Sequence, residues 1–320
     1  MASDRVEAAA RRYVPGAGPV SVERLGRGLV NESHRVMRDG RAYSLRMPAA
    51  RAATHLDLAT HAATRVPVGV DREWECRVLA VASEAGIAPV IERCEPRLGV
   101  LVARWEEGEA VSEDEARRPE MGARVAQLAR RVHALAPPDD ARVLRPADWI
   151  EHYRDALARL PMDTRRAQGL TATAGLLRAE AGRRLACLEA LPRAAAVLCH
   201  SDMHRANLVA SARGLVLLDW EYAHVSEALW DLAGWACNND LEPGGRASLL
   251  AVYLGRPAEA VEARRLEDLA WLYDYVCWLW SEVYCGATDA ADRLILERGR
   301  ALAIRLAHRA GGGPGELPAH

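Results

Sequence analysis

Two hydrophobic periodicities divide this chain. Before about residue 105, short apolar or alternating segments stand between turn signals. Beyond it, apolar residues recur mostly at helical spacing. After a short opening helix, Val20 to Leu25 reads as a strand running into Gly26-Arg27-Gly28. His34 to Arg38 and Arg41 to Met47 read as strands around Asp39-Gly40, a dipeptide suited to a two-residue hairpin turn. Asp71 to Ala85 predicts a helix with Trp74, Val78, Leu79 and Ala82 on one face, stopping near Gly86 and Pro89. Val90 to Arg93 and Val100 to Trp105 give another pair of strands, and Ser112-x-x-Glu115 is a capping-box signal for the helical remainder. Inside that remainder Asn207 to Ala210 and Leu215 to Leu218 predict a hairpin around Ser211-Gly214.

A strand-rich first third followed by helices predicts an α+β arrangement of two lobes. The expected boundaries are an N-terminal lobe at 1–104, a join at 105–111 and a helical lobe at 112–310. The stretch 49–65, rich in Ala, Thr and His, reads as a mobile connection, and 311–320 as a disordered tail.

Composition narrows the function classes. At 320 residues, half of them hydrophobic, the chain can bury a sizeable core. Its net charge of −2, with 42 scattered basic residues, leaves no footprint for nucleic acid or an anionic membrane. The charged start does not resemble a signal peptide, and the apolar stretches are too short for a membrane span. Seven dispersed cysteines without a Cys-x-x-Cys pair argue for reduced thiols and against a disulfide framework or zinc site. The expectation is a soluble cytoplasmic protein with no obligate protein partner. Phenylalanine is absent, so nine tryptophans and eight tyrosines carry the aromatic packing.

The most informative chemistry lies in His200-Ser-Asp202-Met-His-Arg-Ala-Asn207 and Leu217-Leu-Asp219-Trp-Glu221. Phosphoryl transfer from ATP needs a carboxylate to orient the attacking hydroxyl, and hard oxygen ligands for magnesium on the phosphates. Asp202 offers the first; Asn207 and Asp219 offer the second, brought together by the predicted hairpin. Gly26 and Gly28 would let backbone N–H groups approach a phosphate. No Gly-Lys-Ser/Thr follows them, so this is not a Walker loop.

These segments resemble the catalytic and metal-binding loops of kinase-like small-molecule phosphotransferases, a superfamily that includes choline and ethanolamine kinases, thiamine kinase and aminoglycoside phosphotransferases. The resemblance implies a protein-kinase-like two-lobed fold, with ATP and Mg²⁺ as cofactors and a small-molecule alcohol as acceptor. It places His200 and Asp202 in the catalytic loop, Asn207 and Asp219 at the metal, and Glu221 beside the substrate. It also places Gly26, Gly28 and Asn31 in a glycine loop over the nucleotide, and Arg46 on its phosphates. Glu75 would fix the direction of Arg46, with Glu73 as the alternative. Trp105-Glu106-Glu107-Gly108 would form the hinge that receives adenine through backbone groups. Asp231 would brace the catalytic loop, and His133 would be structural. Ser226-Glu-Ala replaces the usual Gly-Asp-Pro, while Cys237-Asn-Asn-Asp240 resembles an Asn-Asn segment of bacterial choline/ethanolamine kinase-like proteins.

The acceptor side is less determined. Trp271, Tyr275, Trp278 and Glu282 fall on one helix face, and Tyr273, Trp280 and Tyr284 on another. One aromatic face must be core. The other could line a pocket for a cationic head group, with Trp278, Trp280 and Glu282 as candidate contacts. Leu-Trp280-Ser resembles a choline kinase segment whose second tryptophan is Cys277 here. The acceptor stays open among choline, ethanolamine, thiamine and an aminoglycoside, and a pseudokinase without turnover is the alternative from another class.

Overall fold

The computed structural model describes residues 2–27, 31–48, 70–159, 171–287 and 293–311. Gly28, the expected connection at 49–65 and residues 312–320 lie outside the described residues.

The fold is α+β, with a β-sheet N-terminal lobe and a helical C-terminal lobe. Helix α1 (Ala2–Tyr13) precedes strands β1 (Val20–Arg27), β2 (Asn31–Arg38) and β3 (Arg41–Pro48). Asp39 and Gly40 both take left-handed φ values, 49° and 73°, as a tight hairpin of this hand requires. With β4 (Ile91–Glu95) and β5 (Val100–Arg104) the strands form one sheet in the order β1-β2-β3-β5-β4. Alternate residues Val36, Tyr43, Leu45 and Val102 turn to one face and bury Val6 and Ala10 of α1.

Helix α2 (Arg72–Glu84) starts where Asp71 Oδ1 accepts the N–H groups of Glu73 and Trp74, both at 3.0 Å. Its buried face of Val78, Leu79 and Ala82 is continuous with the core of the helical lobe. Its outer side corrects one expectation. Cys76 of α2 is disulfide-bonded to Cys94 of β4, with Cα atoms 5.8 Å apart. Eighteen residues separate the pair in sequence. Only the packing of α2 on β4 makes them neighbours, so spacing could not reveal it.

The join is more structured than expected. Trp105 N–H donates to Ala42 O at 3.0 Å, and residues 108–110 form β6 (Gly108–Ala110). This strand pairs with β8 (Leu208–Ser211) of the catalytic hairpin. Arg213, at the tip of that hairpin, binds Glu106 through Nε–Oε1 (2.9 Å) and Nη2–Oε2 (2.6 Å). It also donates to Gly86 O and Ala88 O. One guanidinium thus ties three chain segments together.

The helical lobe contains α3 (Glu113–Ala116), α4 (Pro119–His133), α5 (Pro146–Arg159) and α6 (Thr171–Glu189). Ser112 and Glu115 form the expected reciprocal cap on α3. Strands β7 (Ala196–Cys199), β8, β9 (Gly214–Leu217) and β10 (His224–Glu227) follow, then α7 (Leu229–Asn238), α8 (Pro243–Leu254), α9 (Ala260–Ala287) and α10 (Arg293–Arg309). The antiparallel β7–β10 pair was not anticipated: strands of four residues are too short to show a period. Helix α9 is the axis of the lobe, packed against α5, α6, α7 and α10. No helix among the described residues is long and apolar enough to cross a membrane.

Candidate active site

The catalytic loop leaves β7 and is held from behind by Asp231, at the start of α7. Its carboxylate accepts the N–H of His200 (2.9 Å) and of Ser201 (2.6 Å), fixing Ser201 at a left-handed φ of 68°. His133 Nε2 lies 3.1 Å from the same carboxylate, and His133 Nδ1 lies 2.9 Å from the Tyr253 hydroxyl. Burial opposes the charge on Asp231, but the hydrogen bond and charge of His133, with those from His200, hold its pKa below the ordinary value. This is the bracing role the resemblance implied for Asp231.

His200 differs from expectation. It is fully buried, with Nε2 2.8 Å from Leu218 O and Nδ1 accepting the Asp202 N–H at 3.3 Å. The ring lies edge-on to Trp220, and burial lowers its pKa. A neutral ring whose two nitrogens serve the backbone has none left for substrate. His200 positions Asp202 and Asp219 instead of reacting.

Asn207 O accepts the Leu218 N–H at 2.8 Å, and Leu208 pairs with Leu217, so the hairpin sets Asn207 beside Asp219. Asn207 Nδ2 donates to the carbonyl of Asp202 (3.0 Å) and to its Oδ2 (3.1 Å). Only the amide nitrogen can donate to a carboxylate, so Oδ1 is the atom left to accept. Asp219 sits at φ 55° with Oδ1 2.9 Å from Arg46 Nη1. Burial raises the Asp202 pKa, but the hydrogen bond and charge of His204, at 3.4 Å, help bring it below the ordinary value. Burial pushes Asp219 up, Arg46 opposes this, and the charge of Asp202 adds to it. Magnesium fits here: Asn207 Oδ1 and the Asp219 carboxylate are hard oxygen donors, and a cation would relieve the repulsion between Asp202 and Asp219.

Above this loop a buried ion cluster joins the lobes. Arg46 on β3 contacts both oxygens of Glu75 at 2.6 Å, and Glu75 is 1% exposed. Glu73 is exposed, so the pairing alternative resolves to Glu75. Arg72 was not anticipated. Its Nη1 donates to Glu75 Oε2 (2.7 Å) and Glu221 Oε2 (3.0 Å), and its Nη2 to Asn31 Oδ1 (3.0 Å). Asn31 in turn donates to Glu221 at 2.9 Å, so its side chain is engaged with the turn after β9. The Arg72–Glu75 spacing of three was the one signal available in sequence. Gly26 lies on β1 opposite Ser33, after an irregularity in the strand register. Glu106 is committed to Arg213, and Glu107 is exposed, 3.4 Å from Arg35.

Asp202, Asp219 and Glu221 open onto a cavity of about 330 Å³. Its aromatic wall is formed by Trp149, Tyr153, Tyr222, Trp230, Tyr273 and Trp280. Burial, then the charge of Asp219, pushes the Glu221 pKa up to about 7. Trp280 lines this cavity as expected, whereas Trp278 and Glu282 do not. Trp278 is buried and stacks on Tyr275 at 5.6 Å, on the core face of α9. Glu282 shares that face and is turned from the cavity by the same helical rotation. Beside Tyr273 and Trp280 of α9, the other four aromatic residues come from α5, the turn after β9 and α7. Each is ordinary in its own sequence context, which is why the wall was not legible.

Residues 21–269 match the sequence pattern of the family described as phosphotransferase enzyme family. The chain belongs to this family. No curated protein sequence matches this phosphotransferase. Among solved structures it is similar to a choline/ethanolamine kinase family protein from Mesorhizobium loti, with TM-score 0.75 and 22% identity over 99% of this chain and 97% of that one. It is also similar to choline kinase LicA from Streptococcus pneumoniae, with TM-score 0.73 and 17% identity over 96% and 99% of the two chains. A spectinomycin phosphotransferase bound to ADP and spectinomycin matches at TM-score 0.63 and 10% identity, over 96% and 98%. These likenesses agree with the kinase-like two-lobed fold. As a member of its family, the protein is an enzyme that transfers a phosphoryl group to a hydroxyl acceptor.

Proposed function

We propose that this phosphotransferase uses ATP and Mg²⁺ to phosphorylate the hydroxyl of a small cationic alcohol of the choline or ethanolamine type. The observation that carries the reading is the cavity. Aromatic faces and three carboxylates converge on the space that Asp202 faces, a setting that attracts a cationic head group. The solved neighbours named for choline and ethanolamine support the same direction.

In this reading residues 1–104 bind the nucleotide, and adenine meets the backbone of the 105–111 join. The glycine loop that Gly26 and Gly28 suggest in the sequence would cover the phosphates, and Arg46, aimed by Glu75, holds them as a bidentate donor. Asn207 and Asp219 would hold magnesium, which neutralises phosphate charge. Asp202 aligns the acceptor hydroxyl for in-line attack and takes its proton as the new O–P bond forms and the bond from the γ-phosphorus to the β,γ-bridging oxygen breaks, releasing ADP. Positioning and electrostatics, not a covalent intermediate, supply the rate. The test is ATP turnover with choline, ethanolamine, thiamine and kanamycin. Turnover of either amino alcohol supports the reading; kanamycin as the preferred acceptor rejects it.

A further inference from the structure

Helix α10 brings into the acceptor cavity a cation that the proposed function does not use. Arg298 lines the cavity beside Cys277 and Leu302. Its Nη2 donates to Asn238 Oδ1 at 2.9 Å. Asn238 is itself fixed, because its Nδ2 donates to the Tyr273 hydroxyl at 3.0 Å and leaves only Oδ1 for the arginine. Tyr273 is buried and lines the same cavity. The guanidinium is therefore anchored by a neutral chain rooted in α9, not by a counter-charge.

Arg298 and Arg300 are the arginines of α10 without an ion pair to any described residue, and of the two Arg298 lines the cavity. On the same helix Arg293 pairs with Glu297, Arg305 with Asp240 and Asp274, and Arg309 with Asp274. A second basin of about 360 Å³ adjoins the first, sharing His204, Asn238, Arg298 and Leu302 and adding Arg205 and the paired Asp240 and Arg305. One side of the acceptor space is thus acidic and aromatic, and another carries an anchored guanidinium. A purely cationic alcohol would share a cavity of about 330 Å³ with an exposed guanidinium that has no carboxylate of its own in contact.

We propose that Arg298 binds a carboxylate on the acceptor, which makes the substrate a hydroxy zwitterion, with a hydroxyl, a cationic centre and an acidic group. The inference rests on the proposed function and narrows its substrate class. The carbons and carboxylates around Asp202 receive the cation. Arg298 receives the acid through the N–H groups that Asn238 leaves free, as a planar fork suited to a carboxylate.

The test compares acceptors that differ only by the carboxylate: homoserine against 3-aminopropan-1-ol, and carnitine against β-methylcholine. The expected result is a kcat/KM at least about tenfold higher for the acidic member of one pair, the scale of a charge-assisted hydrogen bond. Arg298→Met should collapse that ratio toward one, and Arg298→Lys should restore part of it. Equal or better use of the amino alcohols, or a ratio unmoved by Arg298→Met, overturns the acid site and leaves the proposed function standing. If no alcohol is phosphorylated, the proposed function itself fails. Calorimetry with homoserine and carnitine on wild type and Arg298→Met then decides the acid site: tighter binding by wild type supports it, and equal or absent binding overturns it.

Discussion

Asn207 grips Asp202 twice, donating from one amide nitrogen to its backbone carbonyl at 3.0 Å and to its carboxylate at 3.1 Å. The candidate base and a candidate metal ligand are therefore one rigid unit. The five-residue spacing in the loop is what allows a single side chain to close it. Substitutions at the two positions should nevertheless separate by the step they affect.

Asp202→Asn should fold and bind ATP almost as the parent does, because an amide fills the same volume. Its kcat should fall by roughly 10²-fold or more, the loss expected for a missing positioned base. Steady-state kinetics beside nucleotide binding checks this. A variant with near-parental turnover removes Asp202 from the mechanism.

Asp219→Ala should weaken Mg²⁺-dependent nucleotide binding more than Asn207→Ala. A carboxylate brings formal charge to the metal, and an amide only a dipole. Asp219→Ala also frees the Arg46 contact at 2.9 Å, so binding of ATP without magnesium should suffer much less than binding of Mg·ATP. Titrating both nucleotide forms against both variants reads the difference.

Trp278 and Trp280 should now behave oppositely. Trp278→Ala empties a buried position and should cost about 3–5 kcal/mol of stability. Trp280→Ala touches the cavity wall and should mainly raise the acceptor KM, by about tenfold where a desolvated cation–π contact is lost. Thermal melting beside acceptor kinetics distinguishes them. Trp280→Ala with unaltered acceptor kinetics counts against the aromatic wall as a binding surface.

Glu221 gives the acceptor site a pH dependence. Its pKa is pushed from 4.5 up to about 7, so it is charged above that pH and neutral below it. The KM for a cationic acceptor should therefore rise as pH falls through about 7, and Glu221→Gln should flatten that limb. The sign for stability is separate. The folded state binds this proton more tightly than the unfolded chain, so the contribution of Glu221 to stability falls as pH rises from 4.5 to about 7. A parental KM profile that is level across this range argues against Glu221 as a contact for the acceptor.

Sequence alone determined what is local. Asp39-Gly40 dictates its turn because few other residues accept left-handed φ there, and Ser112 and Glu115 cap α3 across three residues. The spacing from Asp202 to Asn207, and the hairpin that returns the chain to Asp219, likewise need only short-range geometry. Helical periodicity established that α9 has two aromatic faces, but not which one the core would take. That choice followed from where α5, α6, α7 and α10 pack around the helix, and it buried Trp278 while leaving Trp280 at the cavity. Only tertiary structure could decide the groups joined across long separations. Arg72 meets Glu221 across 149 residues, Cys76 meets Cys94 between a helix and a strand, and Asn238 meets Arg298 across 60. The reason is physical. A periodic pattern records which face of an element is apolar, whereas a charge finds its partner only after the elements have packed.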